Sequence, residues 1–221
     1  MKLPSEVPVM TLPHATLFPQ ALLPLYIFEP RYRQMLVDSL NTTRMFSVAM
    51  KKPGQSREVP SSVAGLGLIR VSVGHQDGTS HLILQGIARV ELIETVRYKP
   101  YRIQRIRPLE ASPSNDVVVD ALLAKVRELL EERVRLGLPF PFPNAPNNPG
   151  QPPPGFSPRE VLDYLDKLND PEQVVDLVSC AVLTGPVERQ TILETVNLES
   201  RLRQLIHFLM AEIKRHRKNN N

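Results

Sequence analysis

Leu17-Phe18-Pro19-Gln20-Ala21-Leu22-Leu23-Pro24-Leu25-Tyr26-Ile27-Phe28-Glu29-Pro30-Arg31-Tyr32-Arg33 changes character half-way along. Its first part, from Leu22 to Phe28, reads as a short β-strand. Pro24 inside it suits an edge or a bulge, because proline has no N–H to give to a ladder. Pro30 then stands where a helix can begin, since a first turn leaves that donor unpaired anyway. Tyr32, Met35, Leu36 and Leu40 follow at helical spacing and form one apolar stripe. Leu17, Phe18, Leu22, Leu25, Ile27 and Phe28 can fill a small β core, with Pro19 and Pro24 fixing the path around it. Glu29 either favours the helix N-terminus or pairs with Arg31 or Arg33.

Strand-like runs surround this block. Val7 to Leu12 precedes it, and Met45 to Met50 follows the helix. Ala64 to Val73 is next, alternating with one slip, and His75-Gln76-Asp77-Gly78 supplies a turn. His81 to Ile87 returns as its partner. Gly86 marks a bend, after which Val90 to Val96 and Tyr101 to Ile106 give two more runs. Six or seven short strands within about 100 residues predict a small, strongly curved sheet or barrel. Phe18, Leu25, Ile27, Phe46, Leu68 and Leu84 are expected inside it.

The second half has helical period. Val119, Leu122, Leu123, Val126, Leu129, Leu130 and Val134 follow helical spacing after Ser114-Asn115. Ser157-Pro158-Arg159-Glu160 has the S-x-x-E capping pattern, and Asp170-Pro171-Glu172-Gln173 repeats its logic. Gly185-Pro186 opens another helix. The last starts near Asn197, with Leu198, Leu202, Leu205, Ile206, Leu209, Met210 and Ile213 on one face. Leu122, Val126, Leu130, Leu162, Leu165, Leu183 and Leu202 are expected to pack together. From Pro139 to Pro158, nine of twenty residues are proline, which excludes a regular helix or central strand. That stretch reads as an extended surface spacer, with a polyproline ligand as its functional alternative. The predicted organisation is a β-rich unit at 1–112, a helical unit at 113–217 with a proline-rich loop at 139–158, and a tail at 218–221.

Composition narrows the function classes. With 42% hydrophobic and 23% charged residues among 221, the chain can bury a core. The best apolar run, Ala21 to Phe28, falls far short of the roughly 18 residues a membrane helix needs. The N-terminus has no apolar signal-like region, and the one cysteine, Cys180, suits a reducing compartment, so a cytoplasmic protein is expected. Lys and Arg number 27 against 23 acidic residues, and Lys214, Arg215, Arg217 and Lys218 account for the whole excess. The basic pI near 9.3 therefore belongs to the tail and does not establish a nucleic-acid face.

Enzyme motifs are missing. There is no Gly-Lys pair for a phosphate loop and no G-x-S-x-G elbow. The five histidines are scattered; His75 and His81 can approach across a hairpin, but no thiol or H-E-x-x-H accompanies them. Cys180 lies among Val178, Ala181 and Val182 and reads as a small buried hydrophobe. We expect no catalytic residues, no metal and no cofactor.

The block from Leu17 to Arg33 resembles the opening of the Lon protease N-terminal (substrate-binding) domain, and Val7-Pro8-Val9-Met10-Thr11-Leu12-Pro13 is similar to its leading strand. Val63-Ala64-Gly65-Leu66-Gly67, Leu84-Gln85-Gly86-Ile87-Ala88-Arg89-Val90, Pro100-Tyr101 and Pro108-Leu109 resemble later signatures in order. Glu188-Arg189-Gln190-Thr191-Ile192-Leu193-Glu194-Thr195 with Arg201-Leu202 is similar to the closing segment. The resemblance spans roughly residues 7 to 210. It implies an α+β fold in which a PUA-like curved β-sheet or pseudo-barrel precedes a C-terminal helical bundle. In Lon such a unit recognises substrates ahead of an ATPase and a peptidase, and neither catalytic region is found in this sequence. The proline-rich insert departs from the family's compact connection.

The expected function is accordingly a non-catalytic module that binds unfolded or extended polypeptide, as a substrate-recognition or adaptor unit. A separate protease is a further candidate partner, and no membrane is expected. Tyr26, Phe28, Tyr32, Tyr98 and Tyr101 are the candidate binding residues, because an aromatic ring offers apolar area and tyrosine adds a polar tip. Half-buried packing is the competing role of each. The alternative function is an RNA-binding PUA-like module, against which the neutral body argues.

Overall fold

The computed structural model describes residues 2–110, 115–138 and 158–219. The chain divides into two compact units, Met1–Glu110 and Ala111–Asn221. The first holds β1 (Glu6–Leu12), β2 (Leu22–Ile27), α1 (Pro30–Leu40), β3 (Met45–Met50), β4 (Val63–Gly74), β5 (Ser80–Arg97) and β6 (Arg102–Pro108). The second holds α2 (Asp116–Arg135), α3 (Pro158–Asp166), α4 (Pro171–Val182), α5 (Pro186–Glu194) and α6 (Leu198–Asn219). The fold is the expected α+β arrangement.

The sheet runs β2-β5-β4-β3-β1-β6, and β6 also pairs with β5, which closes a ring of five strands. All pairings are antiparallel except β1 with β3. That parallel pair has both faces covered, and all six residues of β3 are buried, as a continuous Met-Phe-Ser-Val-Ala-Met run requires. One apolar cluster gathers Met10, Phe46, Val48, Ile69, Leu82 and Leu84 with Tyr32, Met35 and Leu36 of α1. A second gathers Val7, Val9, Met45, Ala64, Leu66 and Val90. Of the residues expected inside, Leu25 and Leu68 are only partly buried, at the margins of these clusters.

One strand differs from expectation. Residues 81–87 and 90–96 form a single strand, β5, that passes through Gly86. Its pairing slips by one residue there: Leu66 faces Ala88 while Gly67 faces Gly86, so Ile87 is the extra residue of a bulge. The bend and the bulge are the same event, because an added residue increases local twist without ending the ladder. The reason lies in the opening block. A Cβ on Gly86 would stand 1.9 Å from the Phe18 carbonyl oxygen, and one on Gly65 2.0 Å from the Leu17 carbonyl oxygen. Leu17 and Phe18, both buried, therefore lie directly over backbone that only glycine leaves open. Hydrogen bonds from Gln20 N–H to the Gly86 carbonyl and from Gly86 N–H to the Ala21 carbonyl, both 2.9 Å, hold the seam.

In the helical unit, α2, α4 and α5 each pack on α6. The caps are those the sequence indicates: Asn115 Oδ1 accepts from Val117 and Val118 N–H, Asp170 Oδ1 from Glu172 N–H, and Asn197 Oδ1 from Ser200 N–H. The buried stripe of α6 is Leu198, Leu202, Leu205, Leu209 and Ile213, and it also includes Arg201. Glu29 stands at the N-cap of α1 without a side-chain capping bond and instead pairs with Arg31 at 2.9 Å. The Ser157 cap and almost all of the proline-rich stretch 139–158 lie outside the described residues.

Candidate functional site

β2 is the exposed edge of the β unit. Among the described residues its one strand partner is β5, with Tyr26 opposite His81, Pro24 opposite Ile83 and Leu22 opposite Gln85. The Ala21 carbonyl is spent on Gly86. By the two-residue period of a strand, the backbone groups of Leu23, Leu25 and Ile27 also turn towards β5, and those of Leu22, Pro24 and Tyr26 turn to the free side. Pro24 fits there because its missing N–H costs no ladder bond. It also blunts the edge against uncontrolled pairing. The open side thus offers carbonyls from Leu22, Pro24 and Tyr26 and N–H groups from Leu22 and Tyr26.

An apolar outer face adjoins this edge. Leu22, Tyr26 and Phe28 are exposed, as are Val71 and Val73 of β4. The register sets Val73 opposite His81 and Val71 opposite Ile83, which aligns them with Tyr26 and Pro24 in two cross-strand rows. Tyr26 stacks on Phe28 with centroids 5.8 Å apart and lies 4.7 Å from the His81 ring. His81 meets His75 edge-on, with Nδ1 and Nε2 2.7 Å apart. Four rings therefore form one exposed row from Phe28 to His75. The hairpin spacing brings the two histidines together as expected, and among the described residues no group of three potential metal ligands forms around them.

Two of the five candidate aromatics belong to the interior, and this corrects their assignment as binding residues. Tyr32 is 4% exposed, and its hydroxyl donates to the Thr11 carbonyl at 3.3 Å and accepts from Thr11 N–H at 3.2 Å. Burial pushes its phenol up to about 12. Tyr101 is also 4% exposed and donates to Asp38 Oδ2 at 2.6 Å. Both rings sit in the α1 cluster and fasten α1 to the sheet. Tyr98 is exposed, but it lies in the turn after β5, at the opposite end of that strand from His81, beside Arg102. The surface set therefore contracts to Tyr26 and Phe28, with Tyr98 elsewhere. His75, His81, Val71 and Val73 join the face; only their strand register, fixed by the hairpin turn, could have revealed this.

The Tyr101 contact has a titration signature. Tyr101 first, and Gln34 second, hold the Asp38 carboxyl below the usual carboxylate range. A depressed folded-state value stabilises above the unfolded value near 3.9, and that stability is lost as pH falls through the folded value. Tyr101→Phe is expected to cost about 1 kcal/mol at neutral pH, low for a charged acceptor because Asp38 remains water-accessible. Denaturant titrations of both proteins should converge as pH falls through the lowered Asp38 value; a difference that stays constant into strong acid contradicts the assignment.

Among the described residues no activated nucleophile stands out. The half-buried Cys180 thiol receives a contact from Arg189 at 3.5 Å, yet burial pushes it up, against Arg189's pull. The model of the ATP-dependent protease La (LON) substrate-binding domain matches residues 6–211. The chain belongs to the Lon substrate-binding domain family. It is similar to the Lon protease of Dictyoglomus thermophilum, 21% identical over 214 residues, which are 96% of this chain and 25% of that one. With the Lon protease of Desulfosudis oleivorans the identity is 25% over 217 residues, 96% of this chain and 24% of that one. The chain thus spans about a quarter of the length of these Lon relatives, and the matched region is their substrate-binding domain, not the peptidase. Two solved structures share the fold. The N-terminal domain of Mycobacterium avium complex Lon protease superposes with a TM-score of 0.70 at 18% identity, covering 93% of this chain and 98% of that one. A Lon N-terminal domain protein from Xanthomonas campestris gives 0.59 at 19% identity, covering 91% and 97%. No helix among the described residues of this Lon-type chain is long and apolar enough to cross a membrane.

Proposed function

We propose that the chain binds unfolded or extended polypeptide as a substrate-recognition or adaptor module, and that it has no catalytic activity of its own. The observation that carries this is the juxtaposition of an open strand edge with an exposed apolar face. An extended peptide can add to the free side of β2 through main-chain bonds, while its alternate side chains meet Tyr26 and Phe28. Such recognition depends little on sequence, which is what a reader of unfolded chains needs. Cys180 as a lone cysteine, with no disulfide to form within the chain, supports action in a reducing cytoplasm.

RNA binding is the less favoured reading. Arg105 pairs with Glu6 and Glu94, Arg107 with Glu91, and Arg31 with Glu29 and Glu58. These acids interrupt the basic stripe that backbone contacts require.

A fluorescently labelled, permanently unfolded protein tests the proposal by titration. The double variant Tyr26→Ser/Phe28→Ser is expected to weaken binding about tenfold, as two exposed aromatic anchors worth somewhat under 1 kcal/mol each would. Tyr98→Ser should leave it within about twofold. Equal affinity of all three proteins contradicts the proposed face. The same preparation is expected neither to degrade a casein-like substrate nor to release phosphate from ATP, since neither activated nucleophile nor phosphate-binding loop is in view. Turnover that copurifies with the chain at constant specific activity overturns the non-catalytic part.

A further inference from the structure

A second surface feature of the β unit carries its own chemistry. A groove of about 940 Å³ runs along α1, and residues of β4, β5 and the turn between them form its other wall. Its charged lining residues are Arg33 and Arg44, and no acidic side chain lines it. Arg33 is in the first turn of α1, and Arg44 follows its C-terminus, where the Arg44 N–H turns back to the Ser39 carbonyl, so the two cations flank the groove about 10 Å apart along the helix axis. Between them lie Val37 and Leu40, and Val37 is 53% exposed although it sits on a helix whose other apolar residues face the core.

The Arg33 end is built by a turn. Gly78 has φ +79°, and a Cβ there would stand 1.8 Å from an Arg33 guanidinium nitrogen. The glycine leaves the room that the guanidinium occupies. The Arg33 guanidinium has no hydrogen-bonded or ion-paired partner among the described residues, and Asp77 beside the turn is the acid that feels its field. Asp77 is itself engaged by Thr79, whose N–H and hydroxyl both donate to Oδ1. The Arg44 guanidinium makes one long contact, 3.4 Å to the Ile69 carbonyl. Two incompletely satisfied cations flanking an exposed apolar floor form a surface with a definite complement.

Building on the polypeptide-binding reading, we propose that this groove selects extended peptide segments in which two acidic side chains flank an apolar one. In a strand, residues i, i+2 and i+4 share a face, and i to i+4 spans about 13 Å. Acids at i and i+4 then reach Arg33 and Arg44, whose flexible stems take up the difference, while the residue at i+2 covers Val37 and Leu40. The apolar floor favours peptide over nucleic acid, whose backbone would leave it uncovered.

Fluorescein-labelled peptides with the cores Glu-Ser-Leu-Ser-Glu and Gln-Ser-Leu-Ser-Gln test this on the full chain, by anisotropy at low salt. The acidic peptide is expected to bind about tenfold tighter, as two solvent-screened ion pairs at the upper end of their range allow. The advantage should shrink with added salt. Arg33→Gln/Arg44→Gln should abolish it, and Arg33→Lys/Arg44→Lys should retain most of it. Circular dichroism confirms that both double variants are folded, and an unfolded one is replaced by its single variants. Equal binding of the two peptides overturns the proposal, as does an advantage that survives Arg33→Gln/Arg44→Gln. Displacement of the acidic peptide by a short RNA at lower concentration than by unlabelled acidic peptide also overturns it, in favour of a phosphate-binding groove. The Tyr26→Ser/Phe28→Ser protein separates the two readings. If it loses the unfolded protein but keeps the acid preference, the edge and the groove act independently. If neither peptide binds any variant while the unfolded protein still binds the parent, the groove proposal alone fails.

Discussion

Gly86→Ala is expected to destabilise the β unit by about 3 kcal/mol or more, the upper end of what overpacking a close-packed site costs. The added Cβ meets not a flexible side chain but the Phe18 carbonyl, 1.9 Å away, with its carbonyl carbon at 2.8 Å. Relief requires moving Phe18 and its buried ring, or breaking the two 2.9 Å bonds that join Gly86 to Gln20 and Ala21. Either response disturbs the start of β2 and with it the edge proposed to bind polypeptide. Gly54 supplies the contrast. It has a positive φ but nothing within 4 Å of its Cβ position, so Gly54→Asn, which tolerates that backbone, should cost below about 1 kcal/mol. Urea midpoints of the two variants check the difference. A Gly86→Ala midpoint within error of the parent would show that the seam is not close-packed.

Arg201→Leu should cost the helical unit about 3–5 kcal/mol, the range for removing one partner of a buried ion pair. Arg201 is 1% exposed on the packed face of α6. Its Nη1 donates to Glu172 Oε2 at 2.7 Å and to Asp176 Oδ1 at 3.1 Å, both on α4. Its Nε and Nη2 donate to the Thr195 and Val196 carbonyls at 2.9 and 2.7 Å, in the connection from α5 to α6. One guanidinium therefore ties three helices together through a planar fork. Glu172 keeps some water, but Asp176 is 2% exposed and would lose its cation in the interior. Arg201→Lys should recover less than half of the loss, because one ammonium cannot satisfy two carboxylates and two carbonyls in that geometry. The helical circular-dichroism signal during urea unfolding reports it. An Arg201→Leu midpoint shifted by less than about 1 kcal/mol would mean that the triad is replaceable by packing alone.

Much of this fold is written in local patterns. Pro24, a misfit in a central strand, suited an edge or a bulge, and β2 is the edge. The caps at Asn115, Asp170 and Asn197 marked helix starts because a short polar side chain there answers a specific unpaired N–H. Long-range contacts were less legible. Tyr101 turns inward for an acceptor 63 positions away, which no local period encodes. Tyr32 was readable, because its spacing with Met35 and Leu36 already placed it on the inward stripe of α1. Arg201 and Arg133 look like ordinary solvated helix charges in sequence, yet Arg133 is fully buried against Glu212. Burial there is decided by the neighbouring helix. The exposed face was half visible: Tyr26 and Phe28 stand in the block itself, but Val71, Val73 and His81 join them only through the register of three strands.

Amide hydrogen exchange of β2, with and without a saturating unfolded polypeptide, tests the central claim most directly. The N–H groups of Leu22 and Tyr26 face the open side in the free protein and should exchange quickly, while those of Leu23, Leu25 and Ile27 are held by β5. On binding, Leu22 and Tyr26 should become protected, with little change along α6. Binding that leaves the Leu22 and Tyr26 amides unprotected, or protects only residues of the helical unit, contradicts recognition at the β2 edge.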